Sequence, residues 1–175
     1  MSQPELCVAT ICTGNICRSP MAEVVLKHLI AEDPDLDGHV NVTSAGTARW
    51  HVGSAMDSRA RRALDRAGYP LDGSPGAYAS REFLDSQDLV VVMTREHLDE
   101  VRSRVTNPNT ELVLWRHLID PSKDLDVADP YYGDEVEFDE CLAVLTSGGE
   151  SLRTLLRSRL ATREGRVTRD DAQRE

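Results

Sequence analysis

Apolar positions along the chain change period repeatedly, and the changes mark out its elements. Residues 6–11 (Leu-Cys-Val-Ala-Thr-Ile) form a short β-favouring run, and from 20 to about 31 apolar residues fall at helical spacing, so the opening segment predicts strand, loop and helix. Ser19 followed by Pro20 reads as the helix start, with a hydroxyl at the N-cap, proline at the first helical position and Glu23 soon after. Residues 41–45 predict a second strand ended by Gly46, and 55–67 a helix closed by Gly68. Residues 89–93 are apolar throughout, as a strand covered on both faces would be. A helix over 95–105, a strand over 111–115 and a helix from 138 to about 160 complete the pattern. Gly148-Gly149 interrupts the last helix at ~1 kcal/mol per glycine relative to alanine, so a kink or break is expected there.

Strands alternating with helices predict an α/β fold: a four-stranded parallel doubly wound sheet with helices on both faces, whose ligand lies beyond the carboxyl ends of the strands. With 175 residues the chain is sized for one domain, taken as 1–161, followed by a polar tail over 162–175 expected to be frayed or disordered. Hydrophobic residues at 40% and charged residues at 29% fit a globular chain, so no staple is needed to explain its stability.

The longest aliphatic stretch, 89–93, is far below the ~18 residues of a membrane span, and residues 1–5 lack the basic region of a secretory signal. The cytoplasm is the expected compartment. Cys7, Cys12, Cys17 and Cys141 are too few and too unevenly spaced for a disulfide framework, which in a reducing cytosol leaves reactivity or packing as their roles. A formal net charge of −10 argues against binding nucleic acid or anionic membrane. An acidic protein that binds phosphate needs local positive potential, from a helix N-terminus and an arginine, to overcome its own field.

Residues 11–20 (Ile-Cys-Thr-Gly-Asn-Ile-Cys-Arg-Ser-Pro) offer both. The five residues between Cys12 and Arg18, namely Thr13, Gly14, Asn15, Ile16 and Cys17, are enough to curl backbone amides around one anion while the guanidinium closes the ring. Gly14 supplies freedom at positive φ, and Asn15 tolerates a left-handed conformation. A thiol facing such a ring is expected to be ionised at neutral pH, with the Ser19 hydroxyl placed to donate to it. Cleaving a phenol phosphate also requires a separate acid, and Asp129 in Asp129-Pro130-Tyr131-Tyr132-Gly133 is the candidate, with Tyr131, Tyr132 and Trp50 as aromatic walls. Asp120-Pro121 shares the dipeptide without the aromatics and reads as a turn. A zinc site on Cys7, Cys12 and Cys17 lacks a fourth ligand, so neither metal nor cofactor is expected.

The strings 12–23 and 129–133 together resemble the low-molecular-weight protein tyrosine phosphatase family, and the likeness covers roughly residues 6–160, including Val42-Thr43-Ser44-Ala45-Gly46-Thr47. The resemblance implies Cys12 as nucleophile, Arg18 as phosphate clamp, Asn15 and Ser19 (with Ser44) as loop supports, Asp129 as general acid and Trp50 as the aromatic on the substrate side. It implies phosphotyrosine-containing proteins as partners and a monomer or weak homodimer. For Cys17 it also implies a reversible disulfide with Cys12, beside the plain alternative of a packed thiol; Cys7 and Cys141 read as core residues. Many members carry a histidine and an arginine where this chain has residues 74–78 (Ser-Pro-Gly-Ala-Tyr), a departure that touches loop rigidity more than catalysis. Two related activities compete. Thioredoxin-coupled arsenate reductases need further cysteines after the third strand, and none occurs between Arg18 and Glu140. Protein-arginine phosphatases tend to have threonine where this chain has Ile16, and lack the paired tyrosines. A silent phosphotyrosine-binding module is the reading from a different class.

Overall fold

The computed structural model describes residues 4–123 and 125–172, with 164–172 described by backbone alone. Ten elements follow in order: β1 (Leu6–Cys12), α1 (Arg18–Ala31), β2 (Val40–Gly46), α2 (Ser58–Arg66), α3 (Arg81–Asp85), β3 (Leu89–Val92), α4 (Arg95–Arg104), β4 (Glu111–Leu114), α5 (Trp115–Ile119) and α6 (Glu135–Ala172). The four strands form one parallel sheet in the order β2-β1-β3-β4.

Side-chain alternation splits the core. Val8, Val42, Leu89 and Val91 face a cluster built with Met21 and Leu26 of α1, Leu64 of α2, and Phe138, Leu145 and Leu152 of α6. Ala9, Ile11, Ala45, Val90 and Val92 face the opposite cluster, closed by Leu84 of α3 and Val101 of α4. β1 and β3 carry core residues on both faces, which is why they read as continuous apolar runs. The two-sided cover is the doubly wound α/β arrangement that strand and helix alternation predicts.

Three expectations need correction. α6 runs without a break through Gly148-Gly149, because the glycines meet neighbours rather than bend the helix. A Cβ on Gly148 would lie 2.1 Å from Nε1 of the fully buried Trp115, and one on Gly149 would lie 3.1 Å from Leu29 and Val25 of α1. Second, the polar segment expected as a tail belongs to α6 as far as Ala172, and Arg163 reaches back to Asp88 at 2.5 Å; the last part of that segment, 173–175, lies outside the described residues. Third, the fourth strand stops at Leu114, since Trp115 opens the short helix α5 and donates its indole N–H to Val144 O at 3.2 Å. Among the described residues no helix is long and apolar enough to cross a membrane.

Candidate active site

The site lies at the carboxyl edge of the sheet, where β1 runs out. Cys12 ends the strand, residues 13–17 turn, and α1 starts at Arg18 instead of at the predicted Ser19-Pro20 step. Cys17 is the N-cap, without a side-chain cap bond, and the Ser19 hydroxyl is turned inward to lie 3.0 Å from Cys12 Sγ. Ser19 is the second residue of α1 rather than its N-cap, so its hydroxyl does not cap the helix and lies against the thiol.

Asn15 organises this floor. Among the described residues it is the non-glycine residue with positive φ, at 55°, and its carboxamide bridges three segments. Oδ1 accepts from the Ala77 backbone N–H at 2.8 Å, while Nδ2 donates to Ser19 Oγ and Ser44 Oγ, each at 2.9 Å. Ser19 Oγ accepts from Asn15 and lies 3.0 Å from the sulfur and 3.4 Å from the Ala45 carbonyl; a thiolate at Cys12 can only accept, and would take the serine's proton. Ser44 donates in turn to Glu23 Oε2 at 2.5 Å. Glu23 is fully buried, and its other oxygen accepts from Lys27 Nζ at 2.5 Å and Ser74 Oγ at 2.8 Å. Residues 74–77, where the sequence departs from the family pattern, therefore still brace the floor, through Ser74 on Glu23 and Ala77 on Asn15.

Gly14 differs from expectation. The positive-φ glycines are Gly38, Gly53 and Gly68, and the left-handed turn of the loop falls on Asn15 instead. What Gly14 provides is room, since a Cβ there would lie 3.0 Å from the His51 ring. Gly46 is more constrained: its Cβ would lie 2.6 Å from Thr13 O and 3.1 Å from Asn15 N, so the loop rests directly on the end of β2.

Arg18 is buried, and its guanidinium donates from Nη1 to Val127 O at 3.1 Å and from Nη2 to Asp129 Oδ2 at 2.7 Å. Its Nε is buried without a protein partner. Asp129 is partly exposed and stands across the cleft from the loop. The cleft, of about 310 Å³, is lined by Cys12, Thr13, Gly14, Ile16, Cys17, Arg18, Trp50, His51, Asp129, Tyr131 and Tyr132. Asn15 and Ser19 lie beneath it as supports and do not line it. At the rim of the cleft Trp50 and Tyr132 are 78% and 93% exposed, and Tyr131 meets Tyr132 edge-on at 5.1 Å.

Burial pushes the Cys17 thiol far above the ordinary range, with Asp57 adding to the effect. It pushes Cys141 up to about 12, and raises the half-buried Cys7 as well. These three are held as neutral thiols, and all four cysteines are free. Cys141 belongs to the core as expected, whereas Cys7 is only partly covered.

Two residues escaped the sequence reading. His51 lines the cleft, and its only signal was adjacency to Trp50. His97, in the first turn of α4, is buried and pairs through Nε2 with Thr13 Oγ1 at 2.8 Å. Burial, with Arg18 nearby, lowers its pKa from 6.5 to about 4, so it is neutral at physiological pH. No local signal marks it, because its partner is 84 positions away. Among the described residues no group of three or more His, Cys, Asp or Glu side chains converges to hold a metal ion.

Over residues 7–163 the chain matches the family model described as low molecular weight phosphotyrosine protein phosphatase. It is 42% identical over 164 residues to low molecular weight protein-tyrosine phosphatase A of Mycobacterium tuberculosis, covering 92% of this chain and 97% of that one. A protein tyrosine phosphatase structure from Entamoeba histolytica superposes with a TM-score of 0.79 at 28% identity, covering 87% of this chain and 97% of that one. A Drosophila arginine phosphatase structure gives 0.77 at 27% identity, covering 85% and 96%.

Proposed function

The chain belongs to the low molecular weight phosphotyrosine protein phosphatase family, and from that premise we propose how this protein-tyrosine phosphatase uses Cys12, Arg18 and Asp129. The Cys12 thiolate attacks phosphorus in line with the aryl oxygen. As the S–P bond forms and the P–O bond breaks, Asp129 gives its proton to the departing tyrosine oxygen. Water then attacks the cysteinyl-phosphate, Asp129 takes the water's proton, and phosphate leaves with the thiolate restored. Arg18 and the backbone amides of residues 13–17 hold the three equatorial oxygens, where charge accumulates. Ser19, its proton aimed at sulfur, stabilises the thiolate both before attack and as leaving group.

The ion pair between Arg18 and Asp129 at 2.7 Å links clamp and acid. A phosphate entering the loop competes with the carboxylate for Nη2. Protonated Asp129, the form needed as acid, loses its charge attraction to the guanidinium and yields it to the substrate. The observation that carries the reading is the convergence of Cys12, Arg18 and Asp129 on one cleft with Ser19 against the sulfur.

Ile16 and the Tyr131, Tyr132 and Trp50 rim favour an aryl phosphate over phosphoarginine, so phosphotyrosine-bearing proteins are the proposed substrates. One chain supplies all three reacting side chains, which supports action as a monomer or weak homodimer. Four free thiols support a reducing compartment, the cytoplasm.

Steady-state hydrolysis of phosphotyrosine, phosphoarginine and phosphoserine peptides in the presence of chelator tests the reading. Phosphotyrosine is expected to turn over fastest, Cys12→Ser to abolish turnover while retaining phosphate binding, and Asp129→Ala to slow phosphotyrosine cleavage by ~10²–10⁴-fold. Fastest release from phosphoarginine would favour the arginine-phosphatase reading. Binding of one equivalent with no release would indicate a silent module.

A further inference from the structure

Asp129 must sit at a fixed distance from Cys12, yet it belongs to an irregular segment between α5 and α6. The N-terminal side of that segment is pinned by Val127, whose N–H donates to Met93 O at 2.8 Å and whose carbonyl accepts from Arg18. On the C-terminal side the anchor is Arg59, in the first turn of α2. Its Nη1 donates to Tyr131 O at 2.9 Å and to Gly133 O at 3.1 Å. Its guanidinium carbon lies 4.7 Å from the ring centre of the buried Phe138 and 5.4 Å from that of Tyr131.

The other edge of the same guanidinium holds Asp57, with Nε to Oδ1 at 3.1 Å and Nη2 to Oδ2 at 2.8 Å. These bonds keep the Asp57 carboxyl below its usual range. The Asp57 backbone N–H donates to Ile16 O at 2.8 Å, inside the phosphate loop. At the far end, the N–H of Tyr131 donates to Asp129 Oδ1 at 3.2 Å. A continuous path of hydrogen bonds thus runs from the loop that holds phosphate, through Asp57, Arg59 and Tyr131, to the carboxyl that protonates the leaving group.

We propose that Arg59 is a positioning residue for the general-acid step, bracing the Asp129 segment against the phosphate loop. It touches neither substrate nor reacting atoms in this scheme. A planar fork is required, because four bonds leave three nitrogens in two directions at once, and an ammonium cannot reproduce that. The inference rests on the reading of Asp129 as general acid.

The experiment compares kcat/KM, which reports the phosphorylation step, across aryl phosphates whose phenols range from weakly to strongly acidic. Wild type, Arg59→Gln, Asp129→Ala and the double variant are measured together. In Arg59→Gln, kcat/KM is expected to fall about tenfold for a weakly acidic phenol and less than about twofold for a strongly acidic one. Added to Asp129→Ala, the same change is expected to cost less than about twofold for either substrate, because the acid it positions is already gone. A merely structural role would lower both substrates alike and persist in the Asp129→Ala background, and that outcome overturns the proposal. Arg59→Lys keeps a positive charge beside Asp57 and gives the same readout if Arg59→Gln does not fold; rates matching wild type for every phenol would also overturn it. If Asp129→Ala itself shows no dependence on phenol acidity, the general-acid reading fails and this proposal with it. If Asp129→Ala shows that dependence and the Arg59 variants do not, only the proposal about Arg59 fails.

Discussion

His97 illustrates what a single buried side chain contributes to the loop between β1 and α1. Its Nε2 meets the Thr13 hydroxyl, its Nδ1 is buried without a partner, and Arg18 and Asp126 are the charges that act on it. The imidazole holds a proton less well in the folded protein, at about 4, than at its ordinary 6.5. Between those values the unfolded chain binds more protons, so stability rises with pH across the window and is lost on acidification from about 6.5 towards 4. The contribution is at most about 1.4 kcal/mol per pH unit. Asp57 and Asp33, whose folded carboxyls sit below their usual range, lose their own contributions only at lower pH. Denaturant unfolding of wild type and His97→Gln from pH 7 to pH 4.5 should therefore show a shallower acid slope in the variant, whatever its stability at pH 7. Parallel slopes would refute the assignment. Cys12 and Arg18 were legible in the sequence because only six positions separate them, whereas His97 reaches its partner only because β3 pairs in parallel with β1 and delivers the start of α4 to the same sheet edge.

At the scale of elements, α6 shows why propensity alone misreads a helix. Two adjacent glycines predict a break, yet the helix continues, because Gly148 admits the Trp115 indole and Gly149 admits α1. Trp115 is fully buried and bonds the Val144 carbonyl one turn before Gly148, so the indole has no room to retreat. In a solvent-exposed helix Gly→Ala would stabilise by ~1 kcal/mol. Here Gly148→Ala places a methyl 2.1 Å from Nε1, and overpacking of this kind costs roughly 1–3 kcal/mol and displaces the indole from its hydrogen bond. The melting temperature should fall by several degrees, at about 2–4 °C per kcal/mol for a chain of this size. Gly149→Ala, which meets only side-chain carbons at 3.1 Å, should cost less. A Gly148→Ala variant that melts above wild type would contradict this packing account. The start of α1 shows the same override on a smaller scale: local capping rules favour Ser19, but its hydroxyl lies against the thiol and the helix opens two residues earlier, at Arg18.

For the molecule as a whole, a net charge of −10 opposes the approach of a phosphorylated, and therefore anionic, substrate. In the proposed mechanism the attraction that overcomes it is short-ranged, centred on the buried Arg18 and the loop amides. Salt screens the long-range field over a Debye length of about 8 Å near 0.15 M but leaves buried contacts largely intact. Raising ionic strength from low to physiological values should thus increase kcat/KM, and more for phosphotyrosine peptides with acidic flanks than for neutral ones. Rates that fall with salt equally for both would show that surface attraction dominates instead. The sequence by itself determined the alternation of strands and helices, the Cys12 to Arg18 loop and the aromatic motif around Asp129, because these depend on side-chain period and on residues a few positions apart. Only the tertiary structure decided that Arg18 pairs with Asp129 across 111 positions, that Ser74 and Lys27 satisfy buried Glu23, and that Arg59 bonds the Tyr131 and Gly133 carbonyls. Such pairings are set by how remote segments pack against one sheet edge, where burying a charge or a polar group is tolerable only when another part of the chain arrives to bond it.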